Sequence, residues 1–241
     1  MRDQKMTTRI VWSVVTLLVF PLSGQAAVTL DRTRVVFDGG SKSISLNISN
    51  DNQQQPYLAQ SWLEDEQQNK MLTGPLVVTP PVQRLEPGAK GIVRVKASGA
   101  VSQLPQDRES LFYFNLREIP PESDKPNVLQ IALQSKIKLF YRPKGLKRES
   151  GAVWQDQLVL HTDTGGYLLE NPTPYYVTVI GLGGSEKQSL EGDFDTLMLA
   201  PQSSARVKSA VYAKPYLTYI NDYGGRLTLA FSCSSGRCAA R

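Results

Sequence analysis

The sequence predicts an all-β protein made of two antiparallel sandwiches in tandem. Three observations point there. Alternating or densely apolar runs recur along the 241 residues, each closed by a Gly, Pro, Asn or Asp turn signal. No convincing amphipathic helix of three turns interrupts them. A Pro-Gly break near the middle divides the runs into two series.

In the first series, Val28 to Phe37 reads as a strand and ends at Asp38-Gly39-Gly40. Ser43 to Ser49 alternates strictly, as a half-buried strand does, and ends at Asn50-Asp51-Asn52. Tyr57 to Leu63 follows, then Val77-Val78 running into Pro80-Pro81, where a cis bond is a candidate. Ile92 to Val95 comes after the turn Glu86-Pro87-Gly88. Leu111 to Leu116 is dense in aromatic and apolar groups, and Leu129 to Tyr141 is the longest alternating run. Arg142-Pro143-Lys144-Gly145 breaks the pattern, because proline has no ladder donor and glycine is permissive. The second series is Val153 to Leu160, Tyr167 to Glu170, Tyr175 to Ile180, Thr196 to Leu199, Ala205 to Val211 and Arg226 to Cys233. Each half is about 100 residues, the size of one immunoglobulin-like sandwich. The expected division is 27–142 and 147–241, joined by a linker at 143–146.

Residues 1–26 are expected to be an export signal. Arg2, Lys5 and Arg9 precede an apolar run from Ile10 to Leu22, and small residues follow before Ala27. That run is about 13 residues, short of the roughly 20 that a spanning helix needs. Three cations and one anion leave with it, so the net charge falls from +5 to +3. The remaining charge is spread along the chain, which is poor support for a nucleic-acid stripe. Export makes a disulfide possible, and Cys233 and Cys238 are expected to close one small loop at the last strand's end. Their spacing is not that of a redox pair, and so small a loop stabilises less than a long one.

Catalytic groups are scarce. His161 is the only histidine, and no G-x-S-x-G turn presents a serine to it. One histidine and two close cysteines do not make a usual zinc site. No phosphate loop is present, and Gly181-Leu182-Gly183-Gly184 lacks the third glycine of a dinucleotide loop. Asp193 and Asp195 read as a solvated turn. No enzyme activity, cofactor, metal, nucleic acid or small-molecule substrate is therefore expected.

Two features stand out. Leu129, Ile131 and Leu133 put branched aliphatics at every second position. They are either core or an edge that lends its side chains to a partner. Arg34, Lys136 and Lys138 place cations inside strand runs. They either face solvent or capture an anion such as a chain-terminal carboxylate, whose two oxygens suit a guanidinium plus an ammonium.

The stretch Leu104 to Pro120 (LPQDRESLFYFNLREIP) resembles the signature of the periplasmic pilus-assembly chaperones. The resemblance spans the mature chain through AVTLDRTR at 27–34, TPPVQRLEPG at 79–88, KIKLFYRP at 136–143, NPTPYY at 171–176 and YINDYGG at 219–225. It implies a periplasmic protein with two immunoglobulin-like domains in a boomerang around a cleft. It also implies partners: pilus subunits, including a tip adhesin, and an outer-membrane usher that receives them. Arg34 and Lys138 match the family's anchor for the subunit's terminal carboxylate. Leu129, Ile131 and Leu133 match the strand donated to the subunit, Glu109, Arg142 and Asp222 an interdomain charge cluster, and Cys233 and Cys238 a C-terminal disulfide. The short loop from Pro120 to Asn127 resembles the short-loop subclass.

On that resemblance, the three aliphatics would complete a subunit sandwich that lacks a strand. Burying them is worth roughly 5–9 kcal/mol before ordering costs. No nucleotide is needed if a better strand later replaces the donor. In the free protein the aliphatics would be exposed unless two copies cap each other. Lys138 has the opposite parity to Leu129, Ile131 and Leu133, so it needs a bulge to re-aim it or must act from the other face. The charge cluster is either a surface ion pair worth under about 1 kcal/mol or a brace for the interdomain angle. A fimbrial subunit or a secreted adhesive module are the rival readings of such a chain.

Overall fold

The computed structural model describes residues 26–123, 127–146 and 153–241. The expected export signal, apart from Ala26, lies outside the described residues, as do the middle of the Pro120–Asn127 loop and the first residues after the linker. No described helix is long and apolar enough to cross a membrane.

The first half holds β1 (Val28–Leu30), β2 (Arg34–Asp38), β3 (Ser43–Asn50), β4 (Tyr57–Glu64), β5 (Lys70–Met71), β6 (Leu76–Thr79), β7 (Val82–Leu85), β8 (Lys90–Ala97), β9 (Ser110–Ile119) and β10 (Gln134–Arg142). One sheet has the order β1-β3-β8-β6. The other runs β2-β10-β9-β4-β5, with β7 also on β4. Alternation explains the core between them. Leu46 and Ile48 of β3 and Val93 and Val95 of β8 point inward to meet Phe112, Phe114 and Leu116 of β9 and Leu139 of β10.

The run expected as one strand from Val28 to Phe37 is two. It breaks at Asp31-Arg32-Thr33, where the Asp31 carboxylate holds Arg32 at 2.8 Å and accepts from Asn47 Nδ2 at 2.8 Å. Beyond the break the chain has crossed from the first sheet to the second. The run from Leu129 to Tyr141 is also shorter than its pattern suggests, since its ladder begins only at Gln134. The register supplies the reason. Gln134 opposes Arg117, so Ile131 and Gln130 would oppose Pro120 and Pro121, which have no N–H to give. The cis bond is at Thr79–Pro80, between β6 and β7.

The second half holds β11 (Val159–Asp163), β12 (Gly166–Asn171), β13 (Val177–Gly183), α1 (Glu186–Glu191), β14 (Leu197–Leu199), β15 (Ser203–Lys208), β16 (Tyr216–Ile220), β17 (Arg226–Ser234) and β18 (Arg237–Ala240). Its ladder runs β14-β13-β16-β17-β18-β11-β12-β15. β17 pairs with β16 through Ala230 and with β18 from Phe231 on, so the ladder changes partner midway along β17. The second core draws on both sides of that change, with Val179 and Leu217 from one and Leu160, Tyr167 and Leu169 from the other. Cys233 and Cys238 are register partners and form the expected disulfide. Gly181 has a packing role: a Cβ there would collide with the Ser189 carbonyl of α1. The apolar pattern does not foreshadow β7, β16 or β18, and Val153–Leu160 opens with a 3-10 turn at Gln155–Gln157 rather than with a strand.

Candidate functional site

The site grows from the two flanks of β10. One flank pairs with β9 along Gln134–Tyr141 without a register shift. The other pairs with β2, in parallel, only from Lys138 to Arg142. From Gln134 to Ile137 that second flank is therefore an open edge. Before it, Leu129 to Leu133 lies outside any ladder among the described residues. It is held by Glu118 N–H donating to Leu133 O at 3.0 Å and by Gln130 Nε2 donating to Pro121 O at 2.6 Å. Leu129, Ile131 and Leu133 are 86%, 62% and 42% exposed, so they are not core. Their parity is that of Ile137, Leu139 and Tyr141, which do pack in the core.

The opposite face of the strand carries Lys136, Lys138, Phe140 and Arg142. No bulge re-aims Lys138 within the β10–β9 ladder. It lies on the second face of the strand. There it is the register partner of Arg34. The two cations are neighbours on one face because a parallel pair aligns their side chains. Neither forms an ion pair among the described residues. Arg34 donates from Nη1 to the Ile220 carbonyl at 3.3 Å, and its buried Nε has no partner among the described residues. Burial lowers the Arg34 pKa, partly offset by the Asp222 charge. Burial, and then the Arg34 charge, hold the Lys138 ammonium below the usual lysine range. Two half-buried like charges side by side fit an anion with two oxygens. Lys136 differs. It is held by Glu64 at 2.6 Å and by Gln68 Oε1 at 2.7 Å, over the Tyr113 ring.

At the end of the same face, Arg142 bridges the two halves. It donates from Nε to Glu109 Oε1 at 2.8 Å, from Nη1 to Asp222 Oδ2 at 2.9 Å, and from Nη2 to Asp222 Oδ1 at 3.2 Å, and its Nη2 lies 2.6 Å from Glu109 Oε1 as an ion pair. The Glu109, Arg142 and Asp222 side chains are 1%, 12% and 25% exposed, which is not a surface pair. Burial pushes the Glu109 carboxyl up, against the pull of Arg142 and of the Tyr176 N–H at 2.8 Å. For Arg142, desolvation is more than reversed by Asp222 and Glu109, so its pKa is raised. Sequence reasoning missed the supporting contacts. Phe140 and Tyr176 rings pack 5.6 Å apart across the halves, and Tyr176 OH donates to Glu66 at 3.0 Å. Glu118 was also missed. Its buried carboxylate accepts from Val28 N–H at 2.9 Å and, at 3.4 Å, from Leu133 N–H. Its position was a signal, since it shares the inward parity of Phe112, Phe114 and Leu116.

The other singled-out residues lie elsewhere. His161 pairs with Glu170 across β11 and β12 at 2.8 Å, and Asp193 and Asp195 are exposed before β14. Among the described residues, no cluster could hold a metal ion.

Residues 27–147 match the family described as pili and flagellar-assembly chaperone, PapD N-terminal domain. Residues 153–231 match pili assembly chaperone PapD, C-terminal domain. The chain is 66% identical to chaperone protein PapD of Escherichia coli over 224 residues, covering 92% of this chain and 94% of that one. Among solved structures it resembles the periplasmic chaperone SfaE, at 31% identity and TM-score 0.68, over 84% of this chain and 98% of that one. The SafB chaperone of Salmonella enterica, solved in complex with the SafA pilin, shares the fold at 24% identity and TM-score 0.72, over 88% and 98% of the two chains.

Proposed function

The chain belongs to the PapD family of pilus-assembly chaperones, and on that premise we propose that it captures pilus subunits in the periplasm by lending them the β10 edge. One observation carries the reading. An open strand edge with three exposed alternating aliphatics leads directly to two neighbouring cations, Arg34 and Lys138, that form no ion pair among the described residues. A subunit strand laid on the free flank of β10 gains main-chain hydrogen bonds. Leu129, Ile131 and Leu133 then project into the subunit's incomplete core. Arg34 and Lys138 take its terminal carboxylate, which fixes which subunit residue meets which aliphatic. Glu109, Arg142 and Asp222 hold the two domains, 27–142 and 147–241, around the linker 143–146. The held subunit, pilin or tip adhesin, passes to an outer-membrane usher. No catalytic group or cofactor is required, because a better strand displaces the donor.

Amide hydrogen exchange on the chaperone, alone and in complex with a pilin from its own gene neighbourhood, tests this. Protection should rise along residues 129–137 and little elsewhere in the six-stranded sheet. Unchanged exchange in that segment would sink the proposal.

A further inference from the structure

We infer that Tyr223 is a further subunit contact, packing on the last residues before the anchored carboxylate and so helping to select which chain ends the cleft accepts. The inference rests on the anchor reading above. Tyr223 stands on the β16–β17 turn, which its own hydrogen bonds fix. Asn221 Oδ1 accepts from the N–H of Tyr223 at 3.0 Å and of Gly225 at 2.8 Å, and Asn221 N–H donates to Gly225 O at 2.9 Å. Gly224 takes φ +85°, a left-handed conformation that suits glycine.

The turn is also fixed to the first domain on both sides of Tyr223. Asp222, before it, holds Arg142 with two hydrogen bonds. Gly224, after it, lies so close to the first domain that a Cβ there would come within 2.6 Å of Thr33 Oγ1. Ile220, which ends β16, accepts from the Arg34 guanidinium. Tyr223 itself is 89% exposed, more than any other large hydrophobic among the described residues. A large aromatic is thus held on a rigid turn with its ring in solvent.

Its place suggests its occupant. β2 covers the second flank of β10 only from Lys138 onward, opposite Arg34. A strand added to the open part of that flank would run in line with β2, and its end would meet Thr33 and Arg34. Thr33 is the residue that Gly224 abuts. Tyr223 therefore borders the point where the added chain terminates. Tyrosine suits such a contact, since it offers a broad amphipathic ring and loses only two side-chain torsions on ordering. The structure predicts preference for an apolar side chain close to the subunit's carboxylate.

The test uses a fluorescein-labelled peptide of the last 16 residues of a neighbouring pilin, with either a free or an amidated C-terminus. Anisotropy would be read for wild type, Tyr223→Ala, Tyr223→Phe and Lys138→Ala in the full mature chain. Tyr223→Ala should bind the free-acid peptide about tenfold more weakly, as for an interface anchor residue, with Tyr223→Phe near wild type. Both should melt with wild type, because the side chain is exposed. Binding unchanged in Tyr223→Ala but lost in Lys138→Ala would overturn the role of Tyr223 and leave the anchor standing. Equal affinity for free-acid and amidated peptides, with no effect of Lys138→Ala, would overturn the anchor and the inference with it.

Discussion

Alanine replacements along the donor segment should rank by the surface each side chain still has to bury. Leu129, Ile131 and Leu133 are 86%, 62% and 42% exposed in the free chain. Fully burying one such side chain is worth about 1.5–3 kcal/mol, so together they can contribute roughly 3–6 kcal/mol. That is less than the sequence pattern suggested, because Leu133 and, to a lesser extent, Ile131 are already partly covered. On this scale Leu129→Ala should weaken subunit binding by about 1–2 kcal/mol and Leu133→Ala by about 0.5–1 kcal/mol, with Ile131→Ala between them. The assay is competition: a labelled wild-type chaperone–pilin complex is titrated with each unlabelled variant, which avoids handling free pilin. Leu129 and Ile131 are mostly solvent-facing, so those two variants should melt with wild type, while Leu133→Ala should melt slightly lower because that side chain is more than half covered. The reasoning fails if Leu133→Ala costs as much as Leu129→Ala. It also fails if all three variants compete as wild type does.

Four further outcomes follow from the charges. Glu109→Ala strips a buried cation of one partner and should destabilise the chain by about 3 kcal/mol, seen in urea unfolding, with Asp222→Ala costing less because Asp222 is more exposed. Small-angle scattering of Asp222→Ala should show altered interdomain geometry, and a profile matching wild type would remove the bracing role. Binding a carboxylate restores the lowered Lys138 pKa, so affinity should fall as pH climbs from that lowered value towards the ordinary lysine value of about 10.4. Over the same window the free chain should gain stability, because the unfolded state holds that proton more tightly; opposite slopes in the peptide titration and the melting curve check the sign.

Alternation alone identified Leu129, Ile131 and Leu133 as one face, but not whether that face was core or edge. The answer depends on Pro120 and Pro121, which deprive the segment of ladder partners once the register places them opposite it. The parity of Lys138 was legible as a conflict. Its resolution needed β2, whose parallel pairing puts Arg34 beside it on the second face. Glu109, Arg142 and Asp222 are far apart in the chain, 33 and 80 residues from one another across the two contacts, so no local pattern links them. Family resemblance named them, and the fold brings them together in a buried site. Ile220 escaped notice because it acts through its backbone carbonyl, which no side-chain motif records. The break at Asp31–Thr33 was hidden because both flanking segments are apolar and strand-like.

Co-expressing the mature chain with a neighbouring pilin, as wild type, Arg34→Ala and Lys138→Ala, and measuring soluble co-purified subunit tests the carboxylate anchor most directly. Capture by wild type and loss in both variants is the predicted result. Equal capture by all three would contradict it, leaving the β10 edge to hold the subunit without an anchored chain end.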